Sequence, residues 1–349
     1  MSNRHVLLSL SAVAIVATAL ISGCATASAA RGGAPPLWVV DKDAVYPEDK
    51  YLAEVGEGDG LNAAKAEAAG AIARIFRNRV TVDTTVTTRY TEITGEGGET
   101  LGLVNQTDFD QSIGQSSDQS LVNMRFGESW TDSLGRVYTV AYLDRAETGN
   151  LYRQRILTND SRVAELMDRA RSQTEPLRRF AFFDAALVMS EVNRVLVEQL
   201  EIINMPMARS FSPSYALGDL RAVRADQAAA MKIRVEVSGD PEGRIGAVMT
   251  DWASEKGFSV SEGGDMFLSA VVNVSPVELN NGYENLAWEL NLTLLDSSGY
   301  PSISLPRQGR SSGISFSAAE ARVYADMDQV ISREFDREFT AYLASFLEK

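Results

Sequence analysis

The chain has 349 residues, of which 45% are hydrophobic, and 47 Asp and Glu outweigh 33 Lys and Arg for a formal net charge of −14. This leaves room for two folded domains of ordinary soluble composition, and the acidic surplus argues against nucleic acid or another polyanion as a partner. The single histidine, His5, and the single cysteine, Cys24, both fall at the start of the chain. A chain cut before Cys24 therefore has no imidazole for Ser-His-Asp, Cys-His or zinc chemistry, and no disulfide is possible.

Arg4 followed by the uncharged apolar run Val6 to Leu20 predicts a secretory signal peptide over residues 1–23. Leu20-Ile21-Ser22-Gly23-Cys24 resembles the lipobox of bacterial lipoproteins. The resemblance implies cleavage between Gly23 and Cys24, a diacylglycerol thioether on Cys24 and acylation of the new amine. Several acyl chains on one residue give lasting membrane anchorage, where one would be marginal. Residue 25 is Ala rather than Asp, which by the same resemblance implies transfer to the outer membrane, or retention at the plasma-membrane face in an organism without one; a periplasm-facing position is the expectation. Removing Arg4 leaves 32 basic against 47 acidic side chains, a difference of −15. No later apolar run approaches spanning length.

Residues 24–36, small and Gly/Pro-containing, read as a tether, and Trp38 as a core anchor. Tyr51 to Val55 reads as a strand, Gly56-Glu57-Gly58-Asp59-Gly60 as a turn and Leu61 to Asn78 as an Ala-rich helix packed closely on a sheet. A dinucleotide-binding loop is disfavoured, because the third glycine it requires would fall at 61, which is Leu61. Alternation of Val80, Val82, Val86 and Tyr90 with Thr and charged residues predicts a long antiparallel strand over Arg79 to Glu92. Gly95 to Gln119 reads as a polar loop. Strands follow at Leu121 to Thr131 and Arg136 to Asp144, the second apolar on both faces and therefore central.

These residues carry a resemblance. Pro-x-Trp38, Tyr51-Leu52-Ala53-Glu54-Val55-Gly56-x-Gly58, the Ala-rich helix, Trp130-x-Asp132-x-x-Gly135-x-x-Tyr138 and Ala141-Tyr142-Leu143-Asp144-Arg145 resemble the LPP20 lipoprotein family over the N-terminal half only, about residues 35–150. Some flagellar-associated outer-membrane proteins carry a similar domain. The resemblance implies an α+β scaffold without catalytic residues, in an outer-membrane lipoprotein that assembles with itself or with envelope machinery.

Residues 146–204 read as a helical hairpin, with a possible interruption at Asn159-Asp160-Ser161. Phe180, Phe183, Leu187, Val192, Leu196, Leu200 and Ile203 form one apolar stripe, expected to pack on the protein's own domains rather than to form a partner groove. Residues 205–230 read as a linker. Residues 231–349 give a βαβββα pattern: strands at Met231 to Ser238, Met266 to Val277, Ala287 to Leu295 and Ile303 to Arg310, a short strand at Phe258 to Ser261, and a last helix capped by Ser317. Arg307, Arg310 and Ser311, with Ser312 and Gly313, mark a basic, hydroxyl-rich patch. It could hold a peptidoglycan carboxylate or an acidic loop, although a solvated turn balanced by nearby acids is favoured.

The sequence thus predicts an α+β chain with domains at 37–145 and 231–349 separated by the hairpin. It predicts a non-enzymatic envelope protein anchored through Cys24, with no cofactor and no metal, partnered by itself or by envelope proteins. The alternatives are a peptidoglycan- or small-ligand-binding module, an activator of a cell-wall synthase, or a carboxylate hydrolase, for which no spacing singles out a pair of acids.

Overall fold

The structure, a computed structural model, describes residues 30, 31, 33–81, 83–94, 123–296, 299 and 301–347. The signal peptide, Cys24 and the loop expected at Gly95 to Gln119 lie outside the described residues.

The fold is α+β, built on two sheets with a long helical hairpin between their cores. The first sheet has the order β1-β3-β4-β2, with β1 Ala30–Arg31, β2 Tyr51–Gly58, β3 Arg125–Thr131 and β4 Val137–Asp144. β4 is central, as its two apolar faces require. It pairs antiparallel with β2 from Tyr51↔Asp144 to Gly58↔Val137. Leu52, Ala141 and Leu143 face helix α3 (Leu61–Arg77), where Ala64, Ala68 and Ile72 are fully buried.

Gly56 and Gly58, expected in a turn, are instead the last part of β2. A Cβ on Gly56 would stand 2.2 Å from both the Ala64 carbonyl oxygen and the Ala68 nitrogen. The glycine is there so that strand and helix backbones can touch. Gly56→Ala is expected to lower stability by about 1–3 kcal/mol, as overpacking against backbone does, read as a shift in the urea midpoint.

The strand expected over Arg79 to Glu92 is a helix, α4 (Thr84–Thr94). Asp83 caps it by accepting from the Thr85 amide at 2.8 Å, and Thr87, Thr91 and Thr94 donate to carbonyls four residues back at 3.2, 3.1 and 2.9 Å. Val86, Tyr90 and Ile93 also satisfy a helical period and pack into the core. Alternation and helical spacing were both present in the sequence, and the hairpin chose between them by offering a surface for Tyr90.

Helices α5 (Arg145–Ser172) and α6 (Pro176–Arg209) form the hairpin, and α5 runs through Asn159-Asp160-Ser161 without interruption. Asp144 caps α5 through the Ala146 and Glu147 amides, and Glu175 caps α6 through those of Leu177 and Arg178. The apolar stripe of α6 divides: Phe180 belongs to the second core, while Phe183, Val192, Leu196, Leu200 and Ile203 belong to the first.

Near its end α6 kinks at Asn204, two residues before Pro206. Pro206 has no N–H for the Ile202 carbonyl, and the Met207 amide turns to the Asn204 side chain at 3.1 Å. The Arg145 guanidinium takes up both freed carbonyls, donating to Ile202 at 2.7 Å and Ile203 at 2.8 Å, and also reaches Glu48 O at 2.7 Å. Burial lowers its pKa, against the charge of Glu48. Arg145→Met is expected to destabilise by about 1–3 kcal/mol, because it leaves the kinked turn's carbonyls unmet, and chemical denaturation measures it.

Residues 205–230, expected as a linker, end the kinked helix and then form α7 (Leu217–Ala230). The second sheet has the order β6-β5-β7-β8-β9: β5 Lys232–Ser238, β6 Ser259–Val260, β7 Met266–Pro276, β8 Glu284–Leu295 and β9 Pro301–Gly313. Helix α8 (Arg244–Glu255) precedes β6, so the order is βαββββα, and each of the five expected strands, the short one at Phe258 to Ser261 included, has its counterpart. The last helix begins at Phe316 and is capped by Ser315, which accepts from Ala318 N, rather than by Ser317. It comprises α9 (Phe316–Gln329), a π-helical turn at Val330–Phe335 and α10 (Asp336–Ala344).

These helices cover one face of the second sheet. Across it, Leu268↔Leu294, Ala270↔Leu292 and Leu292↔Leu305 pair within the core. The other face, with Val271, Asn273, Glu289, Asn291, Ser304, Gln308 and Arg310, is open to solvent.

Candidate interaction surfaces

The tether end of the chain enters the first sheet. Ala30 and Arg31 pair in parallel with Trp130 and Thr131 at the β3 edge. The chain then forms two single-turn helices, α1 (Leu37–Val40) and α2 (Lys42–Val45), on the sheet face opposite α3. Beneath them Trp38, Trp130, Ala53 and Val140 make a small separate core, flanked by half-buried Tyr46, Tyr51, Tyr138 and Tyr142. The Tyr46 ring lies 5.0 Å from Tyr142 and 5.6 Å from Tyr51. Burial raises the Tyr46 pKa, aided by Tyr142 and Glu128. Both indole N–H groups, of Trp38 and Trp130, are buried without a hydrogen-bond partner.

A second cluster joins the two cores. Asp184 of α6, whose side chain is 4% exposed, accepts from Arg89 of α4 and from Nε of Arg224 of α7 at 3.0 Å. Arg224 donates on to the Lys256 carbonyl at 3.0 Å and lies over the Phe180 ring. Burial opposes the Arg89 charge, yet Asp184 outweighs it and leaves the guanidinium pKa above its ordinary value. Beyond it, Asp336 accepts from the Trp252 indole at 3.0 Å and pairs with Lys256. Three cations, Arg89, Arg224 and Lys256, thus share two carboxylates, Asp184 and Asp336, and the cluster clamps α4, α6, α7 and the end of α8. The sequence signal for it was a lone acid, Asp184, amid Phe180, Phe182, Phe183, Ala185 and Ala186 on a buried stripe.

The expected patch before the last helix is divided by the pleat of β9. Arg307 faces the helix layer and binds Glu334 at 2.6 Å, whereas Arg310 is on the open face. Ser311 is buried, donating to Asp326 at 2.6 Å and accepting from the Trp288 indole at 3.2 Å. Gly309 makes space for that indole, since a Cβ there would meet the ring at 2.4 Å. Arg307 and Ser311 are thus spent within the fold, and Arg310 stands apart from them.

Two concave regions have charged linings. A cleft of about 280 Å³ between α4, α6 and α7 includes Asp83, Glu191, Arg194 and Arg221, but its arginines pair with Glu191 and Glu198. A broad basin of about 840 Å³ beside β5 and α8 includes Asp240. That carboxylate already accepts from the Arg244, Ile245 and Gly246 amides at 3.1, 2.8 and 3.0 Å, which closes the helix N-terminus to another anion. Among the described residues, no group of three His, Cys, Asp or Glu side chains is placed to hold a metal ion. No helix among them is long and apolar enough to cross a membrane.

The strand, Ala-rich helix and two aromatic-bearing strands of the first sheet are the elements that carry a family pattern. Residues 36–144 match the LPP20 lipoprotein family. The LPP20 segment thus ends at the cap of α5 and includes the whole aromatic layer. A family of lipoproteins agrees with the lipid-anchored envelope protein expected from Leu20 to Cys24. Among solved structures, the chain is similar to the secreted protein HP1454 of Helicobacter pylori, at 12% identity and a TM-score of 0.42, covering 82% of this chain and 97% of that one. It is also similar to a minor lipoprotein of Acinetobacter baumannii, at 15% identity and a TM-score of 0.24, covering 30% of this chain and 91% of that one. Lipoprotein GNA1162 of Neisseria meningitidis follows at 17% identity and a TM-score of 0.21, covering 29% of this chain and 99% of that one. No curated protein matches the chain.

Proposed function

We propose that this protein is a non-enzymatic scaffold of the outer membrane, anchored through acylated Cys24 and facing the periplasm, which assembles with itself or with other envelope proteins. The observation that carries the scaffold reading is the second sheet. Its helices cover one face only, and the other face is open beside a 13-residue edge strand, β9. Open strand edges and uncovered sheet faces are where another chain can add. The ion pairs of the Asp184 cluster support the same reading, because they hold both cores as one presenting body. The domain units 37–145 and 231–349 correspond in this proposal to a membrane-proximal and a partner-facing part.

The test is mild crosslinking of intact cells, detergent solubilisation and purification through the acylated protein, with Cys24→Ser as control. Cys24-dependent recovery of the protein's own oligomers, or of identified envelope components lost when Gln308 and Arg310 on the β9 face are replaced by Glu, supports the scaffold. An abundant, membrane-bound protein crosslinked to nothing would overturn it.

A further inference from the structure

Helix α1 (Leu-Trp-Val-Val) is apolar on both sides, and α2 adds Val45 at its end beyond the charged Lys42 and Asp43. Inward, Trp38 is 5% exposed and completes the aromatic core; outward, Leu37 is 58%, Val40 69% and Val45 40% exposed. The outward side chains add nothing to that core. Residues 31–50 hold three basic side chains, Arg31, Lys42 and Lys50, against four acids, Asp41, Asp43, Glu48 and Asp49, a net of −1 that matches the average acidity of the chain.

The position of this apolar spot says what could cover it. Ala30 is held at the Trp130 edge and follows Cys24 by six residues. At no more than about 3.6 Å per residue, the anchored residue lies within about 22 Å of that edge. The layers are α1 and α2, then the first sheet, then α3 and the hairpin, with the second sheet packed on the far part of α6. The apolar spot is therefore on the tether side of the first sheet, and the second core is on the other. Behind the spot stand four half-buried tyrosines, rings suited by their apolar body and polar tip to a membrane–water boundary.

We propose that Leu37, Val40 and Val45 form a foot that rests on the lipid surface in which Cys24 is anchored, so that the LPP20 segment lies against the bilayer and the second sheet projects from it. The proposal rests on acylation of Cys24. Three side chains would not hold a free protein to a membrane, but a tether of this length keeps them at a high effective concentration there.

Acylation blocks the only native thiol, so Val40→Cys in the anchored protein gives one free site for a spin label, and Ile314→Cys gives the comparison. Ile314, at the β9–α9 turn, is 87% exposed; both substitutions are at the surface and leave the fold intact. The proteins are reconstituted in vesicles of phosphatidylethanolamine with a minority of phosphatidylglycerol. The readout is the collision rate of each label with oxygen divided by that with a water-soluble nickel chelate.

A ratio at position 40 at least about fivefold above that at 314 is expected, as for a group sunk at the headgroup boundary. Ratios within about twofold of each other, on protein that floats with the vesicles, would overturn the foot and leave the anchor standing. Protein that does not float with the vesicles would remove the anchor itself, and the foot with it.

Discussion

Replacing Asp184 by Ala is expected to lower the free energy of unfolding by about 3–5 kcal/mol, the range for breaking a buried ion pair from one side. The carboxylate is 4% exposed and lies between two guanidinium groups whose side chains are 27% and 20% exposed. Without it, Arg89 and Arg224 face each other across a site with little water, and the links from α6 to α4 and α7 are lost together. Urea unfolding is the measurement, read as a lower midpoint at unchanged m-value. Asp184→Asn, which keeps the shape and removes the charge, is expected to lose less. The combined change of Arg89 and Arg224 to Met with Asp184→Leu should recover much of the loss, because hydrophobic replacement of a complete buried ion cluster is often neutral or better. A loss under about 1 kcal/mol for Asp184→Ala would show that the site behaves as a surface pair.

Cys24→Ser is expected to have the largest effect on where the protein is found. Each buried methylene contributes about 0.8 kcal/mol to membrane attachment, and two or more acyl chains together make it lasting. A serine cannot form the thioether, so acylation and the cleavage that follows it should both fail. Intact mass should show wild-type protein as the chain from Cys24 with its lipids, and the variant without lipid and with the first 23 residues retained. Wild-type protein without lipid would remove the anchor from the proposed function.

Much of the architecture is legible in particular residues. Val137 to Leu143 is apolar on both faces and is the central strand; Ala64 and Ala68 announce a close helix–sheet approach; the seven apolar residues of α6 mark a buried helix. Local order misled where two periods coexist. Thr84 to Thr94 alternates like a strand and is helical, since its threonine hydroxyls can return to the carbonyls four residues back and Tyr90 gains a site against the hairpin. The glycines at 56 and 58 carry the composition of a turn, but their role is space for a helix that only packing brings there.

The candidate sites divide in the same way. Sequence by itself determined the anchor expectation at Cys24, the lack of imidazole after His5, the α+β character and the LPP20 pattern, because each depends on residue type or on near-neighbour spacing. Only the tertiary structure decided that Arg307 is paired with Glu334 and Arg310 is on the other face, that Arg145 feeds the carbonyls freed by Pro206, and that Asp184 meets arginines 95 residues before it and 40 after it. The physical reason is range. Hydrophobic period and local hydrogen bonds act over a few residues, whereas the partner of a buried charge is set by which helices the two cores bring side by side.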